Sequence, residues 1–296
     1  MNDAAVALAY KQCERITRSR ARNFYYGIRL LPPRQRSAMC ALYAMARRID
    51  DVGDSLASAP SDGRLTALRE VQVSLELLAK ATNDGAPGRA APPGDPVLIA
   101  LADTLRQFPL PMGAFMDLVE GCEWDIAGRR YQTFAELTEY CHRVAGSIGR
   151  LSVAIYGPTD SEAAGPLADA LGVGLQLTNI LRDLVEDRDV MGRVYLPAED
   201  LARFGVGADL GGQPDDLMAL ICFETGRAVE WYEQGLALLP LLDRRSRACT
   251  AAMAGIYRRL LDKIRVAPGA VLAQRIGLSP AEKVTVAARA LATGAA

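Results

Sequence analysis

Apolar residues recur at helical spacing from residue 4 to the end of the chain, and short breaker segments separate the periodic stretches. No stretch alternates apolar and polar residues for long enough to predict a β-strand. Half of the residues are hydrophobic but only 6% are aromatic, as in a helical core rich in Ala and Leu. The sequence therefore predicts an all-α fold.

The same periodicity predicts where the helices lie. Residues 83–96 contain several Gly and Pro residues and predict a surface loop, whereas residues 188–213 predict a loop that could close over a ligand. Clusters of acidic residues lie on both sides of the first loop and are expected to act together in one site. We therefore expect one domain over residues 1–296. The predicted helices span about 4–20, 34–55, 64–82, 96–107, 111–127, 133–157, 161–188, 214–240 and 243–266, with a last helix from about 279.

Composition and charge limit the function classes. Lys and Arg number 34 and Asp and Glu number 35, so a net charge of −1 gives no field that favours nucleic acid. Six scattered cysteines without a CxxC motif predict reduced core thiols. The N-terminus lacks the features of a secretory signal, and no run of about 18 uncharged apolar residues predicts a spanning helix. We expect a cytoplasmic protein, and peripheral contact with the inner face of the membrane stays open because a lipid substrate would require access to it.

Two acidic clusters, each after a long apolar run, carry paired carboxylates. Asp50 and Asp54 are four residues apart, and so are Asp183 and Asp187. On a helix this spacing places both side chains on one face, where like charges are costly unless a cation lies between them. Mg²⁺ prefers one or two carboxylates together with water and phosphate oxygens. The clusters predict a magnesium-dependent diphosphate site, although a single pair of this kind is more often an ordinary solvated helix face.

Each acidic cluster continues a polar stripe on an otherwise apolar helix. Such a helix faces a ligand or a wet cavity, because buried carboxylates without a cation are energetically expensive. Arg47 and Arg182 can each form two hydrogen bonds to phosphate oxygens, or alternatively pair with the neighbouring aspartates. The two stripes consist of Tyr43, Arg47, Asp50 and Asp54 and of Gln176, Asn179, Asp183 and Asp187.

Other catalytic motifs are not visible in the sequence. The only histidine, His142, has no paired nucleophile, so serine- or cysteine-based chemistry is not expected. Neither a P-loop motif nor a GxGxxG motif after a strand occurs, which argues against a nucleotide site. Small residues at 145, 146 and 149 inside a helical pattern predict close approach of a neighbouring helix or of a hydrocarbon tail.

Several segments together resemble the squalene and phytoene synthases, the family of head-to-head trans-isoprenoid synthases. The resemblance covers nearly the whole chain in order. Within the family the chain is most similar to the bacterial presqualene diphosphate synthases of hopanoid biosynthesis, on residues 23–32 and 46–54. The matching segments are 23–26, 41–44, 47–51, 140–141, 144–146, 175–183 and 192–197.

The resemblance implies an isoprenoid-synthase helical bundle with both aspartate motifs at the mouth of a central apolar cavity. Many relatives have a Ser-x-Ser-Phe element where this chain has Ala21, Arg22, Asn23 and Phe24, so the role of those serines does not transfer. The last three of these residues are substrate-binding candidates. The implied Mg²⁺ ligands are Asp50, Asp54, Asn179, Asp183 and Asp187. The implied diphosphate contacts are Arg47, Gln176, Arg182 and Arg275. The polar groups implied to lie nearest the reacting carbons are Tyr43, Tyr140 and Tyr257. The catalytic candidates are Tyr43, Tyr140, Arg47 and Arg182.

The implied reaction condenses two farnesyl diphosphates to presqualene diphosphate and releases pyrophosphate, with Mg²⁺ and without NADPH. A phytoene, squalene or dehydrosqualene synthase is an alternative, because chain length depends on cavity depth. A non-catalytic helical protein that binds a lipid or a partner is an alternative of a different class. The expected partners are farnesyl diphosphate and, beyond it, a membrane surface or downstream enzymes of the squalene pathway.

Overall fold

The computed structural model describes residues 3–21, 23–54, 61–84 and 94–296. Within these ranges every regular element is a helix, which confirms the all-α prediction. A π-helical turn, His142–Gly146, joins two of the helices, and a 3₁₀ turn, Leu239–Leu241, lies between two others. The α-helices are α1 (Asp3–Arg20), α2 (Phe24–Ile28), α3 (Pro33–Asp54), α4 (Ser61–Asn83), α5 (Pro96–Gln107), α6 (Met112–Ile126), α7 (Phe134–Cys141), α8 (Ser147–Tyr156), α9 (Ser161–Met191), α10 (Ala198–Arg203), α11 (Pro214–Leu236), α12 (Arg244–Val266), α13 (Ala270–Ala273) and α14 (Pro280–Thr293).

The long helices lie within a few residues of their predicted positions, and the differences concern the connections. The predicted loop 188–213 instead contains the last turn of α9 and the short helix α10. Residues 85–93 of the other predicted loop lie outside the described residues. At the end of that loop, the Asp95 carboxylate caps α5 and pairs with Arg48 at 2.8 Å.

Helix α9 is the longest element and passes through the centre of the molecule. It packs against α8, the π-helical turn, α11 and α12. The Asp160 side chain accepts a hydrogen bond from the backbone of Ala163 and caps the start of the helix. Gly192 ends it in the left-handed conformation, at φ 68°, and the next backbone N–H, that of Arg193, donates to the Asp187 carbonyl at 2.8 Å. The chain after α9 is therefore held beside the second acidic cluster.

Helices α8 and α9 approach each other backbone to backbone. A Cβ atom on Gly149 would lie 2.2 Å from the carbonyl oxygen of Ala168, and one on Gly172 would lie 2.5 Å from the carbonyl oxygen of Ala145. Neither position has space for a side chain. A neighbouring helix, one of the two alternatives that the sequence left open, therefore accounts for Gly149.

Gly149→Ala is expected to destabilise the fold by about 1–3 kcal/mol, because the new methyl group would push α8 away from the α9 backbone. Gly226→Ala on α11 is the matched control, since this glycine is exposed and a Cβ there would meet nothing within 4 Å. It should stabilise the fold by roughly 0.5–1 kcal/mol through the lost flexibility of glycine. Thermal unfolding of both variants measures the two shifts, and a Gly149→Ala midpoint at or above that of the wild type would contradict the packing described.

Candidate active site

A cavity of about 1250 Å³ opens between α1, α3, α6, α8, α9 and α12. It brings together every sequence-predicted site residue whose side chain the structure describes. Arg22 and the side chain of Asp54 lie outside the described residues, although the backbone of Asp54 ends α3. The predicted residues that line the cavity are Asn23, Phe24, Tyr43, Arg47, Asp50, Tyr140, Gln176, Asn179, Arg182, Asp183, Asp187, Tyr257 and Arg275.

The described part of the α3 polar stripe, Tyr43, Arg47 and Asp50, faces the cavity, while most apolar residues between Ala38 and Ile49 are buried in the core. Arg47 lies between two carboxylates, with Nη1 2.8 Å from Asp50 Oδ2 and Nη2 2.5 Å from Asp51 Oδ1. The Nε–H of Arg47 is buried and has no hydrogen-bond acceptor among the residues that the structure describes. Burial raises the pKa of the Tyr43 phenol to about 12, so this side chain is a neutral hydroxyl at physiological pH.

The second stripe lies on α9 and is anchored by two arginines. Arg182 Nε donates to Asp183 Oδ1 at 2.8 Å, and its Nη2 donates to the other carboxylate oxygen. Arg275, from the segment after α13, places Nε 2.9 Å from Asp183 Oδ1 and Nη1 3.3 Å from Glu186 Oε2. Glu186 also lines the cavity and was not among the predicted residues. Both arginines therefore lie where a diphosphate group could replace the carboxylates as their partner.

The oxygen atoms of this stripe fit a hard divalent cation. Among the described residues, the side-chain oxygen of Asn179 is buried and accepts no hydrogen bond, so its lone pairs fit a metal ion. Burial and the charge of Asp183 raise the pKa of Asp187 to about 7, which a cation would reverse. Within the described residues, no three Asp, Glu, His or Cys side chains converge to hold a metal by themselves. Mg²⁺ suits such a set, because it uses few carboxylates and takes its other ligands from water and substrate phosphates.

The cavity changes from polar to apolar along its length. On α9, the side of the cavity that carries Asp183 and Asn179 continues toward the N-terminus as Leu175, Leu171 and Ala168. At 1.5 Å per residue, Ala168 lies about 22 Å from Asp183 along the helix. Helix α8 runs alongside and contributes Ser152, buried at the apolar end. The cavity thus has a polar end, where arginines and carboxylates could bind a charged head group. It also has an apolar channel that could hold a long hydrocarbon tail.

Tyr140 belongs to a cluster around a carboxylate that sequence reasoning missed. Its hydroxyl donates to Asp125 Oδ2 at 2.8 Å, and the Tyr195 hydroxyl donates to Asp125 Oδ1 at 3.0 Å. The two tyrosine rings stack with centroids 5.2 Å apart, and both residues and Asp125 line the cavity. No sequence signal separates Asp125 from Asp117, Glu120 and Glu123 on the same helix. Across the cavity, Phe24 stacks on Tyr257 at 5.3 Å.

His142 lies outside the cavity lining and within an ion-pair network. Its Nδ1 contacts Asp169, which also pairs with Arg150, and its ring lies edge-on to Trp231 with centroids 5.5 Å apart. These contacts tie the π-helical turn to α9 and α11. They indicate a structural role for this histidine.

Comparison with known proteins places these features in a family. The family model described as squalene/phytoene synthase matches residues 17–282. The chain belongs to the squalene/phytoene synthase family. The family resemblance stated from the sequence is thereby confirmed. Members of this family transfer prenyl groups, so the chain is a prenyltransferase by family.

Two of the similar proteins are named phytoene synthases. The chain is 47% identical to the phytoene synthase of Mycobacterium tuberculosis over 96% of its own length and 91% of the relative. It is 37% identical to the 15-cis-phytoene synthase of Synechocystis sp., over 88% of this chain and 78% of the relative.

Among solved structures, a dehydrosqualene synthase in complex with ligand matches with a TM-score of 0.84 at 31% identity, covering 96% of this chain and 95% of the other. Squalene synthase HpnC from Alicyclobacillus acidocaldarius matches with a TM-score of 0.74 at 28% identity, covering 90% and 95%. In the part of the chain that the structure describes, no helix is long and apolar enough to cross a membrane.

Proposed function

We propose that this protein catalyses the magnesium-dependent head-to-head condensation of two allylic prenyl diphosphates, with release of pyrophosphate. The observation that carries the proposal is the single cavity in which the α3 and α9 stripes meet at one end of an apolar channel. Its volume of about 1250 Å³ exceeds the range of roughly 300–1,000 Å³ usual for one drug-sized ligand. The cavity is therefore large enough to suit two substrates.

The arginines bind and orient the diphosphate groups. Arg47, Arg182 and Arg275 now pair with carboxylates and would transfer their hydrogen bonds to phosphate oxygens when substrate enters. Asp50 and Asp183, released from these ion pairs, would hold Mg²⁺ together with the side-chain oxygen of Asn179. The full proposed set is Asp50, Asp54, Asn179, Asp183 and Asp187. Bound there, Mg²⁺ neutralises charge on the diphosphate that leaves the donor substrate.

The remaining side chains protect the allylic cation that this departure creates. Leu171, Leu175 and Ile180 line the channel and exclude water, which would otherwise quench the cation. Burial raises the pKa of Tyr140 well above 10, so its hydroxyl stays protonated and cannot act as a general base. The departing pyrophosphate is the better acceptor for the proton lost in product formation.

The similar enzymes favour a phytoene synthase activity, with geranylgeranyl diphosphate as the substrate. Relatives named phytoene synthase match nearly the full chain at 47% identity. The farnesyl-specific reaction that stops at presqualene diphosphate, expected from the sequence, is the second candidate. Residues 23–32 and 46–54, together with the structural likeness to squalene synthase HpnC, support it. Peripheral contact with a membrane surface or with downstream enzymes stays a prediction in either case.

Product analysis tests the proposal. Purified protein is incubated with Mg²⁺ and either farnesyl or geranylgeranyl diphosphate, with and without NADPH, and pyrophosphate and prenyl products are measured. Phytoene from geranylgeranyl diphosphate is the expected result. Presqualene diphosphate from farnesyl diphosphate would favour the second candidate, and squalene in the NADPH reaction would exclude a reaction that stops there. No pyrophosphate from either substrate would refute the proposed function in favour of the non-catalytic alternative.

A further inference from the structure

Asp125 is the common hydrogen-bond acceptor of two tyrosines that line the cavity. Its two carboxylate oxygens each accept one phenolic O–H, at 2.8 Å from Tyr140 and 3.0 Å from Tyr195. The side chain of Asp125 is only 13% exposed, and its charged neighbours include Arg193, with Nη1 4.0 Å from Oδ2, and Asp187. The carboxylate is thus held on several sides, and it fixes the orientation of both hydroxyl groups.

The direction of these hydrogen bonds determines what the tyrosines present to a ligand. Because each hydroxyl proton points at Asp125, each phenol oxygen has its lone pairs available for the rest of its surroundings. A hydrogen bond to an ionised acceptor is strong and polarises the donor, so the negative partial charge on both oxygens increases. Two such oxygens in the wall of the cavity form a fixed electrostatic site for positive charge.

Asp125 also lies beside the diphosphate end of the cavity. Arg193 donates to the Gly53 carbonyl at 3.4 Å, near the end of α3, and its backbone is bonded to the end of α9. Asp125 and its tyrosines therefore sit between the ends of the two acidic stripes. A cation formed when a diphosphate leaves would arise next to them.

We propose that Asp125 is a positioning residue that holds Tyr140 and Tyr195 with their oxygens turned toward the carbocation. The inference rests on the proposed prenyl condensation and deepens it by assigning a role to a carboxylate outside both acidic clusters. Asp125 itself touches neither substrate nor metal in this role. Its effect should therefore appear in kcat and leave the KM for the prenyl diphosphate nearly unchanged.

Asp125→Asn tests this role, because it keeps the shape of the side chain and removes one of the two hydrogen-bond acceptors. We expect kcat to fall by roughly 10- to 100-fold, as found for outer partners that orient catalytic groups in metal sites. A double-mutant cycle then asks whether the loss depends on the tyrosines. In a Tyr140→Phe, Tyr195→Phe background, adding Asp125→Asn should cause no further loss, because no hydroxyl is left to orient.

Asp117→Asn is the matched control on the same helix. Asp117 pairs with Arg150 at 2.6 Å and does not line the cavity, so its loss should leave kcat at the wild-type level. Thermal unfolding of every variant separates lost structure from lost orientation. A full Asp125→Asn loss in the tyrosine-free background would overturn the proposal.

The tyrosine variants also test the proposal without Asp125→Asn, in case that variant does not fold. Wild-type kcat in the Tyr140→Phe, Tyr195→Phe enzyme would refute the role of both hydroxyls and of the carboxylate that holds them. A wild-type protein that releases no pyrophosphate from any prenyl diphosphate refutes the proposed function and this inference with it. An active wild type with additive losses refutes the inference alone.

Discussion

Asp183→Asn is expected to lower kcat/KM by about 10³-fold or more while the fold stays intact, because one negative charge disappears from the centre of the proposed diphosphate site. In the structure Asp183 accepts hydrogen bonds from both Arg182 and Arg275, and its side chain is 14% exposed. The amide has the same shape but carries no negative charge, so it is a weaker ligand for Mg²⁺ than the carboxylate and a weaker partner for both arginines. Pyrophosphate release at saturating Mg²⁺ measures the activity, and circular dichroism measures the helical content.

Asp189→Asn is the control for this prediction. Asp189 lies on the same helix, is exposed, and pairs only with the adjacent Arg188 among the contacts that the structure describes. Its replacement should leave activity near the wild-type level. Equal activity in the wild type and both variants would remove Asp183 from the reaction and favour the non-catalytic lipid- or partner-binding alternative. A loss of helical content in Asp183→Asn would instead show that the ion pairs with the arginines maintain the fold.

The two stripes could be predicted from sequence because helical periodicity alone fixes which residues share a face. Asp50 follows Arg47 by one turn on α3, and Asp183 follows Asn179 by one turn on α9. Both helices carry apolar residues on their remaining faces, so the polar face had to border a cavity or a ligand. The structure places these side chains around one cavity, while their roles in metal and diphosphate binding stay predictions.

The role of Asp125 could not be predicted in the same way, because it depends on tertiary contacts. Its partners Tyr140 and Tyr195 are 15 and 70 residues away in sequence. No periodic rule relates positions on α6, α7 and the segment after α9. The ion pair of Arg275 with Asp183, 92 residues apart, is equally invisible to local patterns, although the family resemblance had suggested Arg275 as a diphosphate contact.

Short and irregular elements were missed for a different physical reason. Helices α2 and α10 have five and six residues, less than the window of about 11–18 residues over which a helical period can be recognised. The π-helical turn His142–Gly146 continues the helical pattern of α7 into α8, so periodicity predicts one uninterrupted helix there. These elements arise from packing, since α2 lies against α12 and the π-helical turn lies against α6 and α9.

Chain-length preference is the property that one sequence leaves open, and the apolar end of the cavity allows it to be tested. Ser152→Phe is expected to reduce the kcat/KM for geranylgeranyl diphosphate far more than that for farnesyl diphosphate. The aromatic ring would occupy the end of the channel near Ala168, where only the longer tail reaches. Excluding the five carbons of one isoprene unit, at about 0.8 kcal/mol for each buried carbon, sets an upper limit of roughly 10³-fold on the change in the ratio.

Ser152→Ala is the matched control, because it removes the hydroxyl without filling the channel, and it should leave the preference between the two substrates unchanged. Steady-state kinetics with both diphosphates gives the two ratios, and thermal unfolding shows whether the larger side chain is accommodated. Unchanged kcat/KM for both substrates would mean that the tails do not extend toward α8. An equal loss on both substrates with a lowered unfolding midpoint would mean that the larger side chain distorts the whole site. A preference that moves toward farnesyl diphosphate would identify the α8 end of the cavity as the part of this protein that measures the prenyl chain.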